Sequence, residues 1–112
     1  MKQTNVSIQH VADGIDRFDQ AAFEQFGEQA RQLGYDQTLV RNWDPNTIVE
    51  SHTHPFAVQA LVVSGKLWLT IGETCHELEA GSRFSLDAQV PHAERYGPEG
   101  AVFWLARRNT PT

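Results

Sequence analysis

Cysteine and methionine are nearly missing from this sequence: the 112 residues hold one of each, the cysteine being Cys75. A lone cysteine excludes an internal disulfide and any CxxC metal or redox motif. Basic residues are few, nine Lys and Arg against fourteen Asp and Glu, for a formal charge of −5. The acidic excess falls mainly in residues 1–56, and Arg107-Arg108 is the only adjacent basic pair. Such a distribution offers no basic footprint for nucleic acid or for an anionic membrane. Long hydrophobic runs are missing too, and the opening MKQTNVSIQH has no signal-peptide core. The expectation is a soluble, cytoplasmic protein whose partner is a small molecule, not nucleic acid or membrane.

What is present suffices for a core. Apolar residues make up 40% and aromatics 10%. A chain of this mass should expose roughly 6,000 Å² folded against roughly 18,000 Å² extended, burying about two thirds of its surface. One domain over residues 1–112 is expected, with a helical segment at about 14–35 and a β-barrel at about 36–108.

The helix is read from period. Phe23, Phe26, Ala30 and Leu33 fall on one face, with Glu24, Gln25, Glu28, Gln29 and Arg31 around the rest. Asp19 is the expected N-cap and Gly34 the expected residue after the C-cap, so the helix should occupy about 19–33. Gly27 stands mid-helix, where it costs up to about 1 kcal/mol relative to alanine.

After residue 36 the pattern is of strands: 37–43, 47–51, 57–63, 66–71, 73–78, 83–86, 91–96 and 101–106. Asp44-Pro45-Asn46, Ser64-Gly65, Gly72-Glu73, Ala80-Gly81 and Gly97-Pro98 with Gly100 punctuate them. Ser64-Gly65 and Gly72-Glu73 read as tight hairpin turns. Segment 1–11 adds a possible edge strand. Short strands at this spacing indicate an antiparallel all-β sandwich or barrel.

Three of the five histidines carry the chemistry. His52 and His54 are two apart, so on a strand both imidazoles face one way. His92 follows Pro91 at the start of a later strand. Three imidazoles meeting inside a barrel would suit a divalent transition metal and leave coordination positions open. An HxH pair alone is as readily two surface histidines. His10 and His76 read as surface or hydrogen-bonded residues, and Cys75 as a small buried hydrophobe.

The segment from His52 to Gly65 resembles the first motif of the cupin superfamily, an HxH followed by an apolar strand ending in glycine. Gly81 to His92 is similar to the second motif, with its glycine-to-histidine spacing. Between them lie two strand-like stretches, 66–71 and 73–77. The resemblance implies an all-β double-stranded β-helix, the cupin jelly-roll barrel, with an N-terminal α-helix outside it. It also implies His52, His54 and His92 as ligands of Fe, Mn, Ni, Cu or Zn, and a homodimer.

Two departures stand out. The glutamate of the first motif falls on Val58, or on Gln59 with the longer spacing. Gln59, the fourth candidate metal ligand, offers only an amide oxygen, and alternation from Val58 turns it away from the interior. In the second motif, Asp87 and Gln89 replace the usual proline and glycine of the turn. Three-histidine cupins such as the thiol dioxygenases are similar in lacking the carboxylate. The resemblance therefore implies a metal-dependent dioxygenase or related oxidoreductase acting on a small chelating substrate. Two alternatives stay open: a non-enzymatic binding or sensing cupin, and a metal-free, isomerase-like one.

Parity supplies the remaining candidates. If His92 faces in, so do Glu94 and Tyr96, the candidate catalytic residues. Glu94 could orient an imidazole, act as a base or supply the missing carboxylate; it could equally pair with Arg95 or Arg41. Tyr96 stands where the cupin motif often has asparagine. Glu50 shares the parity of the HxH pair. Phe56, Phe103 and Trp104 are candidates for a pocket wall, and either Trp68 and Thr70 or Leu67, Leu69 and Ile71 should line the barrel. A neutral triad should favour an anionic chelating ligand and lose metal as imidazoles protonate below about pH 6.

Overall fold

The computed structural model describes residues 6–9 and 19–109. The elements are β1 (Val6–Gln9), α1 (Gln20–Gln32), β2 (Gln37–Trp43), β3 (Ile48–His52), β4 (Ala57–Ile71), β5 (Thr74–Glu79), β6 (Arg83–Leu86) and β7 (His92–Arg108). All strand pairings are antiparallel. The all-β architecture with one N-terminal helix is thus the one expected. β1 covers the described part of the 1–11 segment and pairs with β6. Among the described residues, no helix is long and apolar enough to cross a membrane.

Local chemistry sets both ends of α1. The Asp19 carboxylate accepts from the Ala22 N–H at 2.9 Å, as an N-cap should. At the far end Gly34 adopts φ +93°. There the Gly34 N–H donates to the Arg31 carbonyl, and the Tyr35 N–H to that of Ala30, both at 3.0 Å. This pair of bonds is a Schellman closure, which needs a left-handed residue after the C-cap. The closure delivers Tyr35, not Leu33, to the sheet. Leu33 is 58% exposed, contrary to its place on the expected buried stripe. Phe26 and Ala30 are buried with Leu61, Trp104 and Ala106, and Phe23 meets Trp104 edge-on at 5.3 Å. Gly27 has a packing reason: a side chain there would stand 3.4 Å from Thr38 Oγ1 on β2.

Two of the expected turns are not turns. Ser64-Gly65 lies inside β4, and Gly97-Pro98 with Gly100 lies inside β7. The expected strands 57–63 and 66–71 are therefore one strand, as are 91–96 and 101–106. Register shifts between Val62 and Ser64 and between Gly65 and Leu67 mark bulges where β4 runs beside β7. On one side of the bulges, β4 pairs with β6 and β7 with β2. On the other side, β4 pairs with β5 and β7 with β3. The two long strands so serve both halves of a folded-over sheet. Gly72-Glu73 does form the expected two-residue hairpin, joining Ile71 to its partner Thr74.

The core follows from alternation. Val58, Ala60 and Val62 face inward with Leu67, Leu69, Phe84 and Phe103, while Leu61 and Val63 face the helix. Leu67 and Leu69 are the barrel-facing pair, not Trp68 and Thr70. Trp68 instead carries the Arg95 guanidinium over its ring at 4.4 Å. Cys75 is exposed, not buried.

The bulge is packed too closely for any side chain. At Gly65 (φ +78°) a Cβ would lie 2.1 Å from the Gly100 carbonyl oxygen; at Gly100 (φ +71°) it would lie 2.3 Å from that of Trp43. At Gly72 (φ +62°) nothing is within 4 Å. Gly65→Ala and Gly100→Ala should each cost about 3 kcal/mol or more in urea unfolding, through backbone collision plus left-handed strain. Gly72→Ala should cost only about 1 kcal/mol, the strain alone. Equal losses at all three positions would show that packing at the bulge is not the cause.

Candidate metal centre

The fold brings the three expected histidines together. His52 ends β3, His54 follows it, and His92 begins β7 directly opposite His52 in the ladder. Their ring centroids are 4.3 Å (His52–His92) and 4.8 Å (His54 to each of the others) apart. One nitrogen from each ring lies within 4.8 Å of the others. His92 is buried, 4% exposed, while His52 and His54 are half-buried.

Backbone carbonyls fix two of the rings. His52 Nδ1 is 2.8 Å from the Glu50 carbonyl oxygen, and His92 Nδ1 is 2.9 Å from that of Val90. A carbonyl can only accept, so each Nδ1 carries the proton and donates. The neutral ring then presents a bare lone pair at Nε2, the state a metal needs. His54 is held differently: its ring stacks on Phe56 at 4.8 Å and 3°. The loop of the second motif is tied to it, because the Gln89 N–H donates to the His54 carbonyl at 2.8 Å. Gln89 has φ +67°, so it takes the left-handed conformation of the glycine it replaces.

Glu94 stands beside the triad. Its Oε2 is 3.6 Å from His52 Nε2 and 3.8 Å from His92 Nε2. Its Oε1 accepts a hydrogen bond from the Tyr96 hydroxyl. Both residues are buried, and the alternatives of a Glu94 pair with Arg95 or Arg41 are not what forms: Arg95 covers Trp68 and Arg41 covers Trp43. Burial, with the Glu94 charge next to it, pushes the Tyr96 phenol far above its ordinary range, so it remains a donor.

The triad and Glu94 open onto a cavity of about 260 Å³; Tyr96 is not among its lining residues. Val58, Phe84, Phe103 and Leu105 give it apolar walls, and Phe56 lines it as expected. Trp104 does not, because its parity sends it to the helix side. Gln59 shares the parity of Leu61, which also packs on the helix side, and is not among the cavity-lining residues. Glu50 is exposed outside the cavity; only its carbonyl contributes. His76 is half-buried on β5, opposite Leu69 and apart from the triad; His10 lies outside the described residues. Sequence reasoning missed Trp43, Phe84, Leu105 and Arg107 as lining residues, and considered Arg41 only as a partner for Glu94. Their signal was parity, Arg41 with Trp43 on β2 and Arg107 with Phe103 and Leu105 on β7.

No protein-family model matches the sequence, and no curated protein matches it. Solved structures do. One is an RmlC-like cupin from Shewanella frigidimarina, 18% identical, over 69% of this chain and 68% of that one, TM-score 0.60. KdgF from a Halomonas species is 17% identical over 65% of this chain and 68% of that one, TM-score 0.56. A chain from crystal structures of the DMSP lyases RdDddP and RnDddQII is 24% identical over 63% of this chain but 37% of that one, TM-score 0.58. At these identities the likeness establishes the fold: the chain folds as a cupin, a β-barrel jelly roll.

Burial, the neighbouring imidazoles of His92 and His52, and the Arg107 and Arg41 charges lower the His54 pKa to about 4. An unfolded histidine titrates near 6.5. The folded chain therefore gains from a neutral His54 above about pH 6.5, and loses that gain as pH falls toward 4. In the metal-free protein, an NMR titration should show His54 taking up its proton with a midpoint near 4. A midpoint near 6.5 would mean that the ring is solvated and free of these neighbours.

Proposed function

We propose that the chain binds one divalent transition metal through His52, His54 and His92. We further infer that it serves as a metal-dependent dioxygenase or related oxidoreductase on a small chelating substrate. The observation that carries the reading is the triad itself: three imidazoles converge, and two have Nδ1 committed to backbone carbonyls. The donor set fits the group. Neutral imidazole suits Fe²⁺, Mn²⁺, Ni²⁺, Cu²⁺ and Zn²⁺ alike. A bound ion would supply Lewis acidity and, if redox-active, access to O₂ chemistry at its open positions.

The chain's own residues do the rest. Glu94 is the one carboxylate lining the cavity among the described residues, and it takes over the role vacated at Val58. Its Oε2 faces the imidazole nitrogens and holds or moves a proton there, or joins the ligand set. Tyr96 is a positioning residue: its hydroxyl occupies Oε1 and so aims Oε2. Phe84, Phe103 and Leu105 give the cavity an apolar wall against which an apolar part of a substrate can pack.

Elemental analysis of the untagged protein should find about one transition-metal ion per chain, and His92→Ala should lose it. A wild-type chain that takes up none of the five metals when offered them would overturn the reading. Substrate-dependent O₂ consumption would then separate oxygenase from binding protein among metal-loaded samples.

Tyr96→Phe tests the positioning role. The variant should keep its metal, since the hydroxyl it removes is bonded to Glu94 and not to the triad, and the Tyr96 ring stays stacked on Trp43. It should lose about 1–3 kcal/mol in urea unfolding, because a buried carboxylate oxygen is left without a donor. An unchanged stability would remove Tyr96 from the site.

A further inference from the structure

Two buried side-chain polar atoms among the described residues have no hydrogen-bond partner: Trp43 Nε1 and Arg107 Nε. Buried polar groups are rarely left so, and such exceptions call for an explanation. Both atoms belong to residues lining the same cavity, the one that holds the triad. Both are obligate donors: an indole and a guanidinium nitrogen cannot accept. Two residues of the cavity wall thus each carry an N–H that has no acceptor within the described chain.

Charge points the same way. Arg41 and Arg107 line this cavity, against one carboxylate, Glu94. Neither arginine takes part in the ion pairs formed among the described residues. Aromatic rings hold both guanidinium groups: Arg107 lies 5.0 Å over Phe56, and Arg41 5.0 Å over Trp43. A stacked guanidinium keeps its fork of donors in plane, the arrangement that grips a carboxylate with two parallel bonds. β2 and β7 pair along this stretch, with Arg41 opposite Phe103. The remaining walls, Val58, Phe84, Phe103 and Leu105, are apolar. Inorganic anions have nothing to place against them.

We propose that the cavity binds a small organic carboxylate, its carboxylate held by Arg107 and Arg41 with the Trp43 indole as a further donor. Its apolar body lies against Phe84 and Phe103. The assignment names the substrate class of the proposed metal centre and rests on that reading for the position of the ligand's other end beside the triad.

Benzoate is the probe, with uncharged benzamide and inorganic phosphate as controls. Binding is measured by calorimetry on the purified protein and on protein stripped with the uncharged chelator 1,10-phenanthroline and desalted. Benzoate should bind both samples, about tenfold or more tighter than either control. Arg107→Gln and Arg41→Gln should each weaken it by about tenfold, and Arg107→Lys, which keeps charge but not the fork, by less. Arg41 is exposed, so its variant keeps the test open should Arg107→Gln fail to fold.

Benzoate binding no tighter than benzamide, or equal to phosphate, would overturn the proposal. So would binding that disappears with the metal while ignoring both arginine substitutions, because the metal alone would then hold the carboxylate. The two readings fail separately. Metal uptake without benzoate binding removes the carboxylate proposal alone, and arginine-dependent benzoate binding in a chain that takes up no metal removes the metal centre alone.

Discussion

The site depends on one crowded place in the backbone, where β4 and β7 bend past each other at Gly65 and Gly100. Each glycine meets a carbonyl oxygen at a distance no Cβ could share. Because the two strands bend there without ending, each contributes to both halves of the sheet. His92 and Glu94 come from the half of β7 before the bend, and Phe103 and Arg107 from the half after it. One continuous strand thus brings a histidine of the triad, Glu94 and Arg107 to the same cavity.

The imidazoles show how little apparatus a ligand triad needs. Metal-binding histidines are commonly oriented by a carboxylate or a backbone carbonyl. Here the carbonyls of Glu50 and Val90, each two residues back from its imidazole, do that work for His52 and His92. The arrangement is built into the local chain, so it leaves the nearby carboxylate uncommitted. Glu94 can therefore be held by Tyr96 on one oxygen and face the triad with the other. The carboxylate beside the imidazoles thus comes from β7, while Val58 on β4 gives the cavity an apolar wall.

Legibility in the sequence tracked locality. Asp19, Gly34 and the Phe23, Phe26 and Ala30 stripe were readable because a helix is decided by its near neighbours. The HxH pair was readable because alternation is exact over two residues. Glycine was ambiguous. Gly72 and Gly65 both adopt positive φ, yet one closes a hairpin and the other sits in a bulge. The difference lies in Gly100, thirty-five residues away, which no local pattern reports. Arg107 was visible only as half of a basic pair. Its meaning required knowing that Phe103 and Leu105 face the cavity, a fact set by pairing with β2 and β4. Leu33 had the right period and the wrong outcome, because the Schellman closure redirects the chain one residue too early for it.

The unpaired indole and guanidinium nitrogens have a thermodynamic side as well. A buried donor without an acceptor withholds about 1–3 kcal/mol from the folded state. For Trp43 and Arg107 that deficit is carried by the chain while nothing pairs them. On the proposed reading, a carboxylate that paired them would complete the fold as it bound, and mass action would convert the gain into resistance to unfolding. The melting temperature of this small barrel would then be a readout of its chemistry: among many candidate compounds, those that complete the cavity would be the ones under which the chain melts last.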